Sequence, residues 1–209
     1  MNHKASQRYA VIGDLVDSRS QPSRARAQEQ LLAALEVVNA MLPSVQPLEP
    51  TIGDELQAVY EDLSHALQAT VLVRLALPET MDCRFGIGVG EVEIVGASNY
   101  GLTQDGKAWW SAREAIDIAK ARHRQLPGLR TWIVRDGAER GDIVNSYLLV
   151  RDELVSGFDG RQRRIALAEL HGRSLSQIAA DEGISTSAVS QRHRSGISAL
   201  LESIREVPR

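Results

Sequence analysis

The feature that most constrains this chain is a run near its C-terminal end, residues 175–197, LSQIAADEGISTSAVSQRHRSGI. Leu175–Glu182 read as a short helix with Ile178 and Ala179 turned inward. Gly183 stands where the chain must turn sharply, a position that favours φ > 0 and therefore glycine. Ser185 or Thr186 then caps a second helix by accepting a backbone N–H. Ala179, Gly183, Ile184 and Val189 fall at the spacing that lets two helices cross closely, with the small alanine at the crossing. The pattern predicts a helix-turn-helix whose second helix enters the major groove of double-stranded DNA. Ser187, Ser190, Gln191 and Arg194 lie on its outer face, where Gln can read adenine and Arg guanine. Arg161, Arg163, Arg164 and Arg173 are candidates for phosphate contacts. The competing reading is an αα-hairpin with no DNA partner, its arginines forming a solvated face. Val189, Ile197, Leu200, Leu201 and Ile204 continue one apolar stripe, so the second helix is expected to run on to about residue 204. His193, where leucine would be usual, reads as a partly buried histidine with one satisfied nitrogen.

Composition narrows the partner. With 209 residues, 43% of them hydrophobic, the chain can bury one ordinary core and a small second one. A net charge of −3 disfavours nonspecific coating of nucleic acid. Residues 159–209 nevertheless hold eight Lys/Arg against six Asp/Glu, a balance suited to a defined site rather than to tight nonspecific binding. The lone Cys83 excludes an intramolecular disulfide and a cysteine zinc site, and reads as a small buried side chain in a strand. No apolar stretch is long enough to span a bilayer and no signal peptide precedes Tyr9, so no membrane partner and a cytoplasmic location are expected.

Ahead of the helix-turn-helix the pattern changes to a mixture of strands and helices. Residues 8–13 are a short apolar run, expected as a buried central strand. Leu31, Leu35, Val38 and Leu42 repeat at helical spacing within 22–42. Short strands are expected at 46–52 and 55–60 around a turn at Gly53–Asp54, and a helix at 62–77. Residues 83–95, CRFGIGVGEVEIV, alternate and read as one strand, followed by a loop at 96–104. A helix at 106–124, a strand at 129–134 and a helix at 141–157 complete the series. The order β-α-β-β-α-β, then α-β, then all helix, predicts an α+β chain. It comprises a ferredoxin-like domain over residues 1–138, a linking helix over 139–157 and a helix-turn-helix domain over 158–209.

That topology has a chemical consequence. The first βαβ unit makes its two strands parallel, so Asp14 after the first and Asp54 in the hairpin after the second converge on one sheet edge. Paired carboxylates there suit Mg²⁺ or Mn²⁺ with phosphate oxygens filling the shell. The alternative is that both are ordinary turn residues. Gly86, Gly88 and Gly90 all face one side of their strand, which leaves a face of bare backbone. A closely packed helix is the favoured occupant of that face, a ligand the other. Trp109 and Trp110 are adjacent on a helix, about 100° apart, and cannot both face the core. One of them, with Tyr100 nearby in sequence, is available to a base or to a dimer contact.

The segments GDLVDSR, TIGDELQAV, RFGIGVGEV and DGKAWWSAREAI resemble the SatD family of bacterial proteins over most of the chain. In the same order, over roughly residues 8–135, they also resemble the catalytic domain of class III nucleotide cyclases, and more distantly the diguanylate-cyclase palm. The C-terminal motif is similar to region-four helices of sigma factors. The cyclase resemblance implies a metal pair at Asp14 and Asp54, a nucleotide site that includes Asp14, Asp17, Asp54 and Arg113, and head-to-tail homodimers. Arg113 matches the arginine that stabilises charge developing on the phosphate. The departures imply lost turnover. Trp109 stands where an active cyclase has the ribose-positioning Asn, Pro50 where it has a base-reading Lys or Glu, and Asp17 where the pattern has Gly. Losing such groups costs orders of magnitude in rate. The combined expectation is a DNA-binding transcription regulator whose degenerate cyclase-like domain senses a nucleotide or phosphorylated ligand, or serves dimerisation. An active metal-dependent cyclase or nucleotidyltransferase, and an adaptor contacting RNA polymerase, are the alternatives.

Overall fold

The computed structural model describes residues 7–17, 23–51, 55–98, 101–135 and 142–207. Strand β1 (Arg8–Leu15) runs through the middle of a five-stranded sheet. On one side it pairs antiparallel with β3 (Glu55–Tyr60), which pairs antiparallel with β2 (Gln46–Pro50) at the edge. On the other it pairs antiparallel with β4 (Cys83–Gly90), which pairs parallel with β7 (Thr131–Val134). Helix α1 (Arg24–Met41) crosses from β1 to β2, and α2 (Leu63–Ala76) from β3 to β4. Ser23 and Asp62 start these helices by accepting the backbone N–H of Arg26 and His65.

The alternation of β4 sorts two cores. Cys83, Phe85, Ile87 and Val89 join Val11 and Leu15 of β1 in the larger core beneath α1 and α2. On the opposite face Ala10 and Ile12 meet Ala108, Trp109, Ala112 and Ile116 of α3 (Lys107–Arg122). The bare glycine face belongs to this helix. A Cβ on Gly86 would strike the Ala112 carbonyl oxygen and the Ile116 nitrogen, and one on Gly88 the Ala108 oxygen and the Ala112 nitrogen. The chain's smallest side chain thus lets α3 lie against strand backbone, and the occupant of the face is a helix.

Two sequence expectations change here. Residues 83–95 are not one strand: β4 ends at Gly90, and Glu93–Ser98 form β5, which pairs with β6 (Gly101–Asp105) as a separate antiparallel hairpin. The expected loop at 96–104 is therefore largely strand. The hairpin closes at Gly106, whose φ of 123° lets its backbone press on the Glu91 carbonyl. The alternation changes phase at the break: apolar residues fall at 83, 85, 87 and 89, then at 92 and 94.

The C-terminal third is all helix: α4 (Ile143–Ser156), α5 (Gly160–Leu170), α6 (Leu175–Glu182), α7 (Thr186–Arg192) and α8 (Ser198–Arg205). Their core joins Val155, Phe158, Ile165, Ile178, Val189, Ile197, Leu200 and Ile204 with Val71 and Leu75 of α2. Helix α4 serves both interiors, through Leu148 on the sheet side and Val155 on the helical side. The expected helix from Thr186 to about residue 204 is broken. After Arg192 the chain widens, Ser195 and Gly196 leave helical geometry with Gly196 at φ 113°, and α8 sets off anew. The apolar stripe continues across the break because Gly196 lies against Leu154 and Phe158, and α8 turns its own Leu200 and Leu201 into the same core.

Candidate functional site

The α6–α7 pair has the turn and caps that its residues suggest. Ser174 and Gln177 form a reciprocal capping box at the start of α6. Gly183 ends that helix in the left-handed region, φ 64° and ψ 34°, and the Ile184 N–H returns to the Ala179 carbonyl at 3.0 Å. Of the two candidate caps Ser185 is the one used, accepting from the Ala188 N–H at 3.2 Å. Ile178, Ala179 and Val189 are buried between the helices. Ser187, Gln191 and Arg194 are exposed on α7 and just beyond it, with Ser190 half-buried. His193 is partly buried and bonded through Nδ1 to Glu169.

The flanking arginines are less available than the sequence suggests. Arg164 makes a bidentate pair with Glu182, both bonds 2.7 Å, and Arg161 adds a third at 3.2 Å. These bonds hold the Glu182 carboxyl below its ordinary range. Arg173 pairs with Asp181 at 2.7 Å. Arg163 is a correction: it is buried, not a phosphate contact on the surface. A charge count along one stretch cannot say which arginines a neighbouring helix will claim.

At the sheet end, Asp14 closes β1 opposite Glu55 and Arg84 in the register. Lys120 of α3 reaches its Oδ2 at 2.7 Å and Arg84 faces Oδ1 at 3.6 Å. Glu55, which sequence reading passed over, is the partner of Arg113, with bonds of 2.7 and 2.9 Å. Burial alone would raise the Glu55 carboxyl, but the bonds and charge of Arg113, with Gln57 and Lys120, hold it below its ordinary range. The Glu55 bonds raise Arg113 in turn. Asp54, the other expected metal ligand, and Tyr100 lie outside the described residues.

The implied Mg²⁺ or Mn²⁺ can be tested against these donors. Asp14 is already neutralised by an ammonium and approached by a guanidinium, so a divalent ion on that carboxylate would sit against Lys120. Among the described residues no group of three or more His, Cys, Asp or Glu side chains is placed to hold a metal. Of the expected metal pair the structure describes Asp14 alone, and its Oδ1 is buried with no hydrogen-bond partner.

Beside these pairs, Ile12, Gln57, Trp109, Trp110 and Arg113 line a cleft of about 430 Å³. The tryptophans divide as helical geometry requires. Trp109 is buried, while Trp110 is 66% exposed and donates its Nε1–H to Asp105 at 2.8 Å. Asp17 does not join this cleft. It lines a second cavity between the sheet and α5, and its φ of 52° explains an Asp where the cyclase pattern has Gly.

Sequence reading also missed an interior ion network. Asp152 of α4 is wholly buried and accepts from the backbone of Arg130 and Thr131 and from the side chains of Arg74 and Arg151. Asp82 binds Arg74 at 2.8 and 3.1 Å and Arg130 at 2.8 Å. The signal was present: Arg74 interrupts the apolar run ATVLVRLAL, and Arg151–Asp152 interrupt LLVRDELV. Charges at core-facing helical positions announce a buried pair.

The SatD family model matches residues 8–202 of this sequence. No curated protein matches it. Among solved structures, a bacterial light-regulated adenylyl cyclase is similar over 63% of this chain, with 11% identity and a TM-score of 0.42. The match spans 43% of that cyclase's own length. Among the described residues no helix is long and apolar enough to cross a membrane.

Proposed function

This chain belongs to the SatD family, and from that premise we propose that it is a DNA-binding transcription regulator. The observation that carries this reading is the α6–α7 pair, with left-handed Gly183 between the helices and Ser187, Gln191 and Arg194 exposed on one side. Ser187 at the start of α7, Gln191 near its end and Arg194 just past it offer polar and arginine side chains of the kind that read base edges in the major groove. Arg164 and Arg173 remain candidates for phosphate contacts, and would exchange Glu182 and Asp181 for DNA phosphates on binding.

In this proposal the βαββαβ portion is ferredoxin-like and cyclase-like in descent and serves as the input or dimerisation unit. Its cleft offers Trp110 for stacking and Gln57 and Arg113 for polar contact with a nucleotide or phosphorylated ligand. Lys120 and Arg84 add protein cations at Asp14. Turnover is not expected, because Trp109 and Pro50 cannot orient a ribose or read a base. Incubation with ATP or GTP and Mg²⁺ or Mn²⁺ checks this, and robust cyclic nucleotide would overturn it.

Selection from a random duplex pool, followed by gel shift with the recovered site, tests the DNA reading. Arg194→Ala should weaken the specific complex by about 1–3 kcal/mol. Failure to enrich any duplex would remove the proposal. A second reading, an adaptor that contacts RNA polymerase, draws support from the paired state of Arg161, Arg164 and Arg173, which leaves less cationic surface for phosphate. Co-purification with polymerase in the absence of DNA would favour it.

A further inference from the structure

The interior between the sheet and α5 holds four arginines, and its two carboxylates, buried Asp152 and half-buried Asp82, are engaged by three of them. Arg74, Arg130 and Arg151 share Asp82 and Asp152. Arg163, the fourth, is 5% exposed. One terminal nitrogen of its guanidinium donates to the carbonyls of Arg74 and Met81 at 3.4 and 3.3 Å. Its Nε is buried and has no hydrogen-bond partner. A buried cation without a bonded counter-charge is costly, and the cost falls sharply when an anion meets it. Burial, with Arg74 and Arg130 alongside, lowers the Arg163 pKa against the pull of Asp82 and Glu79.

Arg163 does not face solid packing. It lines a cavity of about 320 Å³ together with Arg130, Ser156, Thr80, Asp17 and Glu79. Asp82, already bonded to Arg74 and Arg130, also lines it; with the arginines and Ser156 it is buried or half-buried, while Asp17, Glu79 and Thr80 are exposed, so four guanidiniums inside face two carboxylates. The cavity is thus cationic inside and acidic at its mouth. Forked guanidinium donors match phosphate oxygens, and a doubly charged group answers two arginines where a single carboxylate would not. The acids at the mouth repel any further negative charge, which disfavours a nucleoside di- or triphosphate.

We propose that this cavity is a phosphate site, formed by Arg163 and Arg130, for inorganic phosphate or a small phosphate monoester whose remaining part is uncharged or cationic. It is separate from the Trp110–Arg113 cleft. It joins the two halves of the molecule, because Arg163 sits on α5 beside Arg164, which holds Glu182 of α6. Phosphate binding here is independent of whether α7 meets DNA.

The test uses the full chain, titrated by calorimetry and thermal unfolding with sodium phosphate and with glycerol 3-phosphate, against sodium chloride at matched ionic strength. Phosphate ten-fold above its Kd should raise Tm by about 3 °C or more. Saturation by phosphate alone assigns the free ion, and several-fold tighter glycerol 3-phosphate assigns the ester. Arg163→Met should abolish the rise. Glu79→Lys, at an exposed position, should tighten phosphate several-fold by removing the acid at the mouth. A wild-type chain no more responsive to phosphate than to chloride overturns the site. So does a phosphate response kept in Arg163→Met, or an unchanged affinity in Glu79→Lys.

Discussion

The glycines of β4 and the glycine between α6 and α7 are indispensable for opposite reasons. Gly86 and Gly88 sit in extended strand backbone, where any residue could adopt the dihedrals. What excludes a side chain is the backbone of α3, which occupies the place of a Cβ. Gly183 has nothing within 4 Å of a Cβ position, and what excludes a side chain is its φ of 64°. The sheet half is therefore specified by volume, and the helical half by turn and cap chemistry. The two halves are joined by a third device, the buried arginine–aspartate network around α4, which follows neither rule.

The join should be the most sensitive place. Asp152→Ala leaves Arg74 and Arg151 buried without their shared carboxylate, and a loss of about 3–5 kcal/mol in urea unfolding is expected. A loss under 1 kcal/mol would show that the halves do not depend on the network. The same network predicts acid sensitivity. Burial pushes the Asp82 carboxyl up, but Arg74 and Arg130 more than reverse this and hold it below its ordinary value of 3.8. Its contribution is therefore complete above that value and is lost as pH falls through the lower folded one. Urea midpoints measured from about pH 5 down to pH 2 should fall, and Asp82→Asn should flatten that dependence.

The glycine contrast is sharpened by making one substitution twice. Gly88→Ala forces α3 off the strand and should cost about 3 kcal/mol, the upper end for overpacking. Gly183→Ala meets no atoms and should cost about 1 kcal/mol, from backbone conformation alone. Asn, which tolerates the left-handed region, should recover part of the loss at 183 and none at 88. Equal costs for alanine at the two positions would break the contrast.

Much of the architecture was legible because it depends on local periodicity and punctuation. The apolar spacing of α1, the capping Ser185 and the turn at Gly183 are properties of a few adjacent residues. The glycine face was readable too, since three glycines at period two can mean little except close approach. The hairpin after Gly90 left only a faint trace, a change of phase from apolar 85, 87 and 89 to apolar 92 and 94. The break at Gly196 was hidden by an apolar stripe that continues through it. At the sheet end Asp14 and Arg113 could be singled out, but not their partners Lys120 and Glu55, which come from distant segments.

What the sequence determined by itself is most of the elements, their order and which faces are apolar, since each follows from spacing within a single helix or strand. The tertiary structure alone decided how the charges are allotted. Arg163 reads like Arg161 and Arg164 along the chain, yet it is buried beside a cavity while they meet Glu182 in the open. Electrostatic partnership depends on distance in space and on burial, and neither is written in the local pattern that fixes a helix.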